Sequence, residues 1–128
     1  MKPITSEWIA KAEGDFATLE RECQVDDLAN YDGICFHAQQ CVEKYVKARL
    51  CEAGVEFAKT HDLVALLEAV LEWEPQWEQY REDLAYLTDY AVSYRYPGES
   101  ADQAAAKEAW DRCKRFRKQA RQSLSLKP

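Results

Sequence analysis

The chain has 128 residues, a formal net charge of −6 at pH 7 and 47% hydrophobic residues. This length and apolar content suit one globular domain over residues 1–128 and exclude an intrinsically disordered chain. The acidic balance disfavours non-specific binding to nucleic acid, which depends on an excess of Lys and Arg. Because only four glycines and four prolines occur, the composition predicts an all-α fold.

The sequence carries no sign of a membrane segment. No apolar run reaches the roughly 20 residues that a membrane-spanning helix needs. The first seven residues, Met1–Glu7, lack the hydrophobic centre of a signal peptide. We therefore expect a soluble, cytoplasmic protein with no membrane partner.

The cysteines and histidines do not form a metal-binding pattern. Five cysteines are present, an odd number without a CxxC pair, and we expect them to be buried, reduced thiols. Only two histidines occur, and neither lies beside two cysteines at ligand spacing. The sequence predicts no metal and no cofactor.

The first two helices follow from apolar periodicity. One helix is predicted from about Ser6 to Cys23, capped by Thr5 or Ser6, with Asp15 just beside its apolar stripe. The second runs from about Tyr31 to Ala53, with Gly54 suited to its C-terminal cap. The apolar face of this second helix is broad enough for the central element of a bundle.

Arg49 lies in the middle of the apolar face of the second helix. A buried Arg needs a partner, so we expect an acid or helix-end carbonyl groups beside it. Asp15 and Asp89 are the leading acids to pair with Arg49 or Arg95. Snorkelling to water near the helix end is the alternative.

Three further helices complete the predicted fold. The third is capped by Thr60 and ends near Trp73, and the fourth runs from Pro75 or Trp77 to Tyr94. The last begins near Ser100 and continues through Ala120, after which residues 123–128 are expected to fray. Five helices with short connections predict an up-and-down bundle.

The last helix is strongly basic. Residues 112–121 contain six basic and no acidic side chains. This surface could face RNA, nucleotides or an acidic partner. The alternative is a solvated helix end, whose cations interact favourably with the negative end of the helix dipole.

Four polar residues of the second helix lie on one arc beside its apolar face. At about 100° per residue, this arc holds His37, Gln40, Lys44 and Lys47. They are candidate ligand contacts, with the lysines neutralising phosphate. The structural alternative is a half-buried histidine, bonded to a neighbouring helix, and two solvated lysines.

Two later segments add candidates. His61 stands between Thr60 and Asp62, where a helix start could bind an anion or could simply be organised by the capping residues. Arg95 precedes Tyr96 and a proline turn. Its guanidinium could grip phosphate while the tyrosine stacks on a base, or it could lock the turn to an acid such as Asp89.

Together these segments resemble the HEPN domain (higher eukaryotes and prokaryotes nucleotide-binding). The resemblance extends from Trp8 to the last helix and rests on residues 36–40, 43–44, 47–48, 60–63, 90–91 and 95–97. It implies an all-α bundle of four to five helices, usually a homodimer. It also implies a minimal nucleotidyltransferase as the partner in a toxin–antitoxin-like pair.

The ribonuclease motif of that family is incomplete in this sequence. In the motif, four to six residues separate an Arg from a His. Counted from Arg95, the corresponding positions hold Ser100, Ala101 and Asp102, and no histidine follows His61. The sequence therefore favours a nucleotide- or RNA-binding or partner module that is not an enzyme. The alternative is a metal-independent ribonuclease in which Arg95 acts with His37 or His61.

Overall fold

The computed structural model describes residues 1–25, 29–91 and 97–128. Within these ranges it contains five α-helices, and they confirm the predicted all-α bundle. The helices are α1 (Pro3–Cys23), α2 (Tyr31–Ala53), α3 (Leu63–Val70), α4 (Arg81–Thr88) and α5 (Gln103–Ser123). Two short 3-10 helices, Pro75–Tyr80 and Asp89–Ala91, flank α4.

Helix α2 is the central element of the bundle, and α1 and α5 pack against it most extensively. The core joins side chains from all five helices, for example Leu19, Val46, Leu67, Leu84 and Phe116. Helix α2 is covered on several sides, and a polar strip along it remains partly accessible. This strip carries three of the four residues that the sequence predicts as ligand contacts, His37, Gln40 and Lys44, whereas Lys47 is buried beside it.

Both ends of α2 form as the sequence predicts. At the N-terminus, the side chain of Asn30 accepts a hydrogen bond from the backbone N–H of Gly33 at 2.9 Å. At the C-terminus, Gly54 adopts a left-handed conformation with φ of 73°. A side chain is strained at that φ, which is why glycine serves as the helix cap there.

The predicted cap of α1 is wrong. The helix begins at Pro3, whose fixed φ suits the first turn. Thr5 lies inside the helix, fully buried, and its hydroxyl donates to Glu52 Oε1 at 2.8 Å. The hydroxyl therefore joins α1 to the end of α2 instead of capping its own helix.

Helix α3 also begins later than predicted. Its N-cap is Asp62, whose carboxylate accepts hydrogen bonds from the backbone N–H groups of Val64 at 3.0 Å and Ala65 at 3.2 Å. The Thr60 hydroxyl instead accepts from the N–H of Asp62 at 3.0 Å. Thr60 therefore organises the residue that caps the helix.

The predicted fourth helix is not continuous in the described residues. Pro75 starts a 3-10 helix that turns Trp77 into the core, and α-helical geometry begins only at Arg81. A second 3-10 helix ends at Ala91. The predicted helix end at Tyr94 lies outside the described residues.

Arg49 has an acidic partner, but not one of the two expected. Its Nε donates to Glu74 Oε2 at 3.1 Å, and Glu74 is itself buried. Asp15 already accepts hydrogen bonds from two other side chains. The Arg49–Glu74 pair fixes the turn before the first 3-10 helix against α2.

The C-terminal tail packs on the bundle instead of fraying. Leu124 is 5% exposed and Leu126 contacts the core cluster. The backbone N–H of Leu126 donates to the carbonyl of Arg121 at 2.8 Å. Apolar residues at these two positions hold the tail because burying them removes apolar surface from water.

Four of the six basic residues in 112–121 pair with acids of other helices: Arg112, Arg115, Arg117 and Arg121. Arg112 and Arg115 both donate to Asp83 of α4 at 3.0 Å. Arg117 forms a bidentate pair with Glu13 of α1 at 2.7 and 2.8 Å. The basic segment therefore fastens α5 to the bundle and is not simply a solvated helix end.

Candidate functional site

The predicted ligand residues of α2 meet the loop before α3 along the accessible strip. We call this set the polar ledge: His37, Gln40, Lys44 and Lys47 of α2, together with His61. Two buried carboxylates hold the ledge in place, one from α1 and one from α2. Each carboxylate organises one histidine and one lysine.

Asp15 of α1 organises the first half of the ledge. Its Oδ1 accepts from His37 Nδ1 at 2.7 Å, and its Oδ2 accepts from Lys44 Nζ. Burial alone would raise the pKa of Asp15, but the hydrogen bonds from His37 and Lys44 outweigh it and hold that pKa below its usual value. The carboxylate is therefore ionised at neutral pH and fixes both side chains.

Glu43 of α2 organises the second half. Its Oε1 accepts from His61 Nδ1 at 2.8 Å and from Gln39 Nε2 at 3.0 Å, while its Oε2 accepts from Lys47 Nζ at 2.9 Å. Burial raises the pKa of Glu43, but these hydrogen bonds and the nearby Lys47 charge lower it overall. The His61 loop is thereby tied to α2.

Gln39 joins Gln40 and the His61 loop to Glu43. It is fully buried, and its Nε2 also donates to the backbone carbonyl of His61 at 3.1 Å. Its Oε1 accepts from Gln40 Nε2 at 2.7 Å. The half-buried amide of Gln40 is thus oriented, through Gln39, by the same carboxylate that holds His61.

Both histidines present the same nitrogen outward. An ionised carboxylate can only accept, so Nδ1 carries the proton, and in the neutral form of the ring Nε2 is an acceptor. Among the residues that the structure describes, neither Nε2 has a hydrogen-bond partner. The His37 side chain is 30% exposed and that of His61 is 62% exposed, so both nitrogens can meet a ligand.

The two lysines differ in accessibility. Lys44 is 20% exposed in its side chain, whereas Lys47 is 9% exposed. The Lys47 ammonium lies 5.4 Å from the ring centre of Trp8 and 5.9 Å from that of Phe57. Lys47 therefore lies beneath the accessible surface of the ledge, against Trp8 and Phe57, and is the least able of these residues to contact a ligand.

A comparison with protein-family models then identifies the fold. The model of the HEPN domain matches residues 5–123 of the 128. The chain belongs to the HEPN family. Searches of curated proteins and of solved structures found no match.

The HEPN match confirms the resemblance read from the sequence, but two of its candidate residues cannot be placed. Arg95 and Tyr96 lie outside the described residues. His37, Gln40, Lys44, Lys47 and His61 do come together on one face. Among the described residues, no helix is both long and apolar enough to cross a membrane.

Sequence reasoning missed the residues that hold the HEPN ledge together. Glu43 and Lys47 have the i,i+4 spacing of a helical ion pair, so this contact was readable from the sequence. The contact between Asp15 and His37 spans 22 positions and two helices, and no local pattern signals it. Gln39 was part of the family motif without an assigned role.

A groove of about 570 Å³ lies apart from the ledge. It is formed by the end of α1, the start of α2 and the first half of α5, and Tyr31 and Trp110 line it. Its lysines, Lys107 and Lys114, both pair with Asp111 in the same lining. None of its lining residues belongs to the ledge, and the formal charges of its lining sum to zero, with Glu22 and Asp111 against Lys107 and Lys114.

The carboxylates of the ledge make the stability of this HEPN domain sensitive to acid. Asp15 and Glu43 have lowered pKa values when folded, so each stabilises the protein above its unfolded pKa, about 3.9 for Asp and 4.3 for Glu. That contribution disappears as the pH falls through the folded pKa. We expect the free energy of unfolding, measured by urea titration, to decline below about pH 4.5.

The matched variants are Asp15→Asn and Glu43→Gln, which cannot titrate. Each should flatten the decline while lowering the stability at pH 7. An unchanged acid profile in both variants would show that other carboxylates cause the acid sensitivity.

Proposed function

We propose that this HEPN domain is a homodimeric module that binds a nucleotide or RNA at the polar ledge. It acts as the partner of a minimal nucleotidyltransferase in a toxin–antitoxin-like pair. His37, Gln40 and His61 contact the ligand directly. Arg95 and Tyr96, which the structure does not describe, supply contacts to phosphate and base.

The observation that carries this proposal is the pair of buried carboxylates that hold two imidazoles with Nε2 outward. Burying an ion pair costs desolvation, and apolar residues of similar size often stabilise a core as well or better. Two such clusters in the ledge therefore add little or nothing to the free energy of folding compared with apolar residues. They support a role that needs oriented side chains, because preorganised groups bind a ligand without a further loss of conformational freedom.

The direct test measures oligomeric state and ligand response on the full chain. Light scattering should give twice the chain mass of 14.8 kDa. Saturating nucleotide or single-stranded RNA should raise the melting temperature, since a ligand at 100 times its Kd adds about 2.7 kcal/mol of stability. In His37→Ala and His61→Ala, the same ligands should raise the melting temperature much less than in the wild type.

Lys107→Ala serves as the control because its side chain is 76% exposed on α5, away from the ledge. It should respond like the wild type. A monomer whose melting is unchanged by every nucleotide and RNA would overturn the proposal.

The second candidate function is metal-independent RNA cleavage. A carboxylate-held imidazole with a free Nε2 has the arrangement of a general base. In this reaction Nε2 of His37 or His61 would remove the proton of a 2′-hydroxyl, whose oxygen attacks the adjacent phosphate. The 5′-oxygen leaves and takes up a proton, and Arg95 stabilises the charge on the phosphate.

This candidate is tested by incubating RNA with excess protein in EDTA. The wild type is compared with Arg95→Ala, His37→Ala and His61→Ala. Cleavage that disappears with Arg95→Ala and one histidine variant would establish a ribonuclease with a rebuilt site. Intact RNA in the wild-type lane would exclude it and leave the binding role.

A further inference from the structure

The formal charge of the polar ledge is balanced within the protein. Asp15 pairs with Lys44, and Glu43 pairs with Lys47, each through a direct contact. The formal charges of these two carboxylates and two ammonium groups sum to zero. A phosphate would have to compete with a buried carboxylate for each ammonium group, which weakens its attraction to the ledge.

With both imidazoles in the neutral form, most of the polar atoms that the ledge leaves open are acceptors. They include Nε2 of His37 and Nε2 of His61, each set by the carboxylate on its Nδ1. Gln40 uses one N–H on Gln39, and its Oε1 accepts no hydrogen bond within residues 1–25, 29–91 and 97–128. The donors that remain are an amide N–H of Gln40 and the ammonium of Lys44, which already binds Asp15.

We infer that the polar ledge recognises the hydrogen-bond donors of a nucleoside, its ribose hydroxyls and exocyclic amino groups, and not its phosphate. Phosphate oxygens are acceptors, so they meet the acceptors of the ledge unfavourably, whereas hydroxyl and amino groups complement them. This inference rests on the proposed function. It assigns the phosphate to other residues, such as Arg95, and the sugar and base to the ledge.

The experiment measures equilibrium binding of the four ribonucleosides and their 5′-monophosphates. It uses the full chain as wild type and as Arg95→Ala, so that a phosphate preference in the variant belongs to the ledge. In Arg95→Ala, each nucleoside and its monophosphate should bind within about threefold of each other. Raising KCl from 50 to 200 mM should change either affinity little, because charge contacts cause salt dependence.

Two further variants should introduce a preference for the monophosphate. Adding Asp15→Asn to Arg95→Ala frees Lys44 from its carboxylate, and the monophosphate should then bind about tenfold tighter relative to the nucleoside. Adding Glu43→Gln frees Lys47, whose burial makes the gain smaller. Glu108→Gln, on the exposed side of α5, is the matched charge control and should leave the ratio unchanged. Circular dichroism confirms that each variant is folded.

The outcomes separate this inference from the proposed function. If the monophosphate binds Arg95→Ala at least tenfold tighter than the nucleoside, with a steep salt dependence, the inference is overturned and the function stands. The same holds if the wild type binds but Arg95→Ala binds neither ligand. If the wild type binds no nucleoside, nucleotide or RNA, both are overturned.

Discussion

Replacing Trp77 with alanine is expected to lower the free energy of unfolding by about 4 kcal/mol, in the range for deletion of a buried aromatic side chain. Trp77 is fully buried although it lies in a 3-10 helix. Its ring packs edge-to-face against Phe116 of α5 with 4.9 Å between the ring centres, and its Nε1 donates to Ser123 Oγ at 3.1 Å. Urea unfolding followed by circular dichroism measures the loss.

Two control variants separate the ring from its hydrogen bond. Ser123→Ala removes the acceptor and should cost about 1 kcal/mol. Trp77→Phe keeps much of the apolar volume and should lie between Ser123→Ala and Trp77→Ala. A loss below about 1.5 kcal/mol for Trp77→Ala would mean that packing of Trp77 against α5 contributes little to the stability of the fold.

Replacing Glu13 with alanine is expected to cost about 3 kcal/mol, because it leaves partly buried arginines without their carboxylate. Glu13 accepts two hydrogen bonds from Arg117 and one from the hydroxyl of Tyr45. Arg121 donates to that same hydroxyl at 2.9 Å. The guanidinium of Arg117 also lies 3.9 Å from the ring centre of Phe16. Glu13 thus ties α1, α2 and α5 together.

A double variant tests whether the unpaired charge causes the loss. Glu13→Leu with Arg117→Met replaces the ion pair by apolar groups and should recover most of the stability lost in Glu13→Leu alone. Asp111→Ala, which removes its pairs with the exposed Lys107 and Lys114, should cost less than about 0.5 kcal/mol. Strictly additive losses in the double variant would contradict the coupling.

The sequence by itself determined the helical bundle and the family. Apolar spacing and the Gly54 cap predicted both ends of α2 correctly, because both signals lie within a few residues of sequence. The polar arc of α2 was readable for the same reason, since residues three and four apart share one helix face. The HEPN motif added the family, which the match over residues 5–123 confirms.

Only the tertiary structure decided which groups the ledge leaves free. The contact between His37 and Asp15 spans 22 positions, and the pair of Arg117 with Glu13 spans 104. No local pattern encodes such contacts, because they depend on how whole helices pack. The pairing of Lys44 with Asp15, which joins α2 to α1, also depends on how the two helices pack. Likewise, the 3-10 helix that replaces the first part of the predicted fourth helix holds Trp77 fully buried against Phe116 of α5, a contact that no local pattern signals.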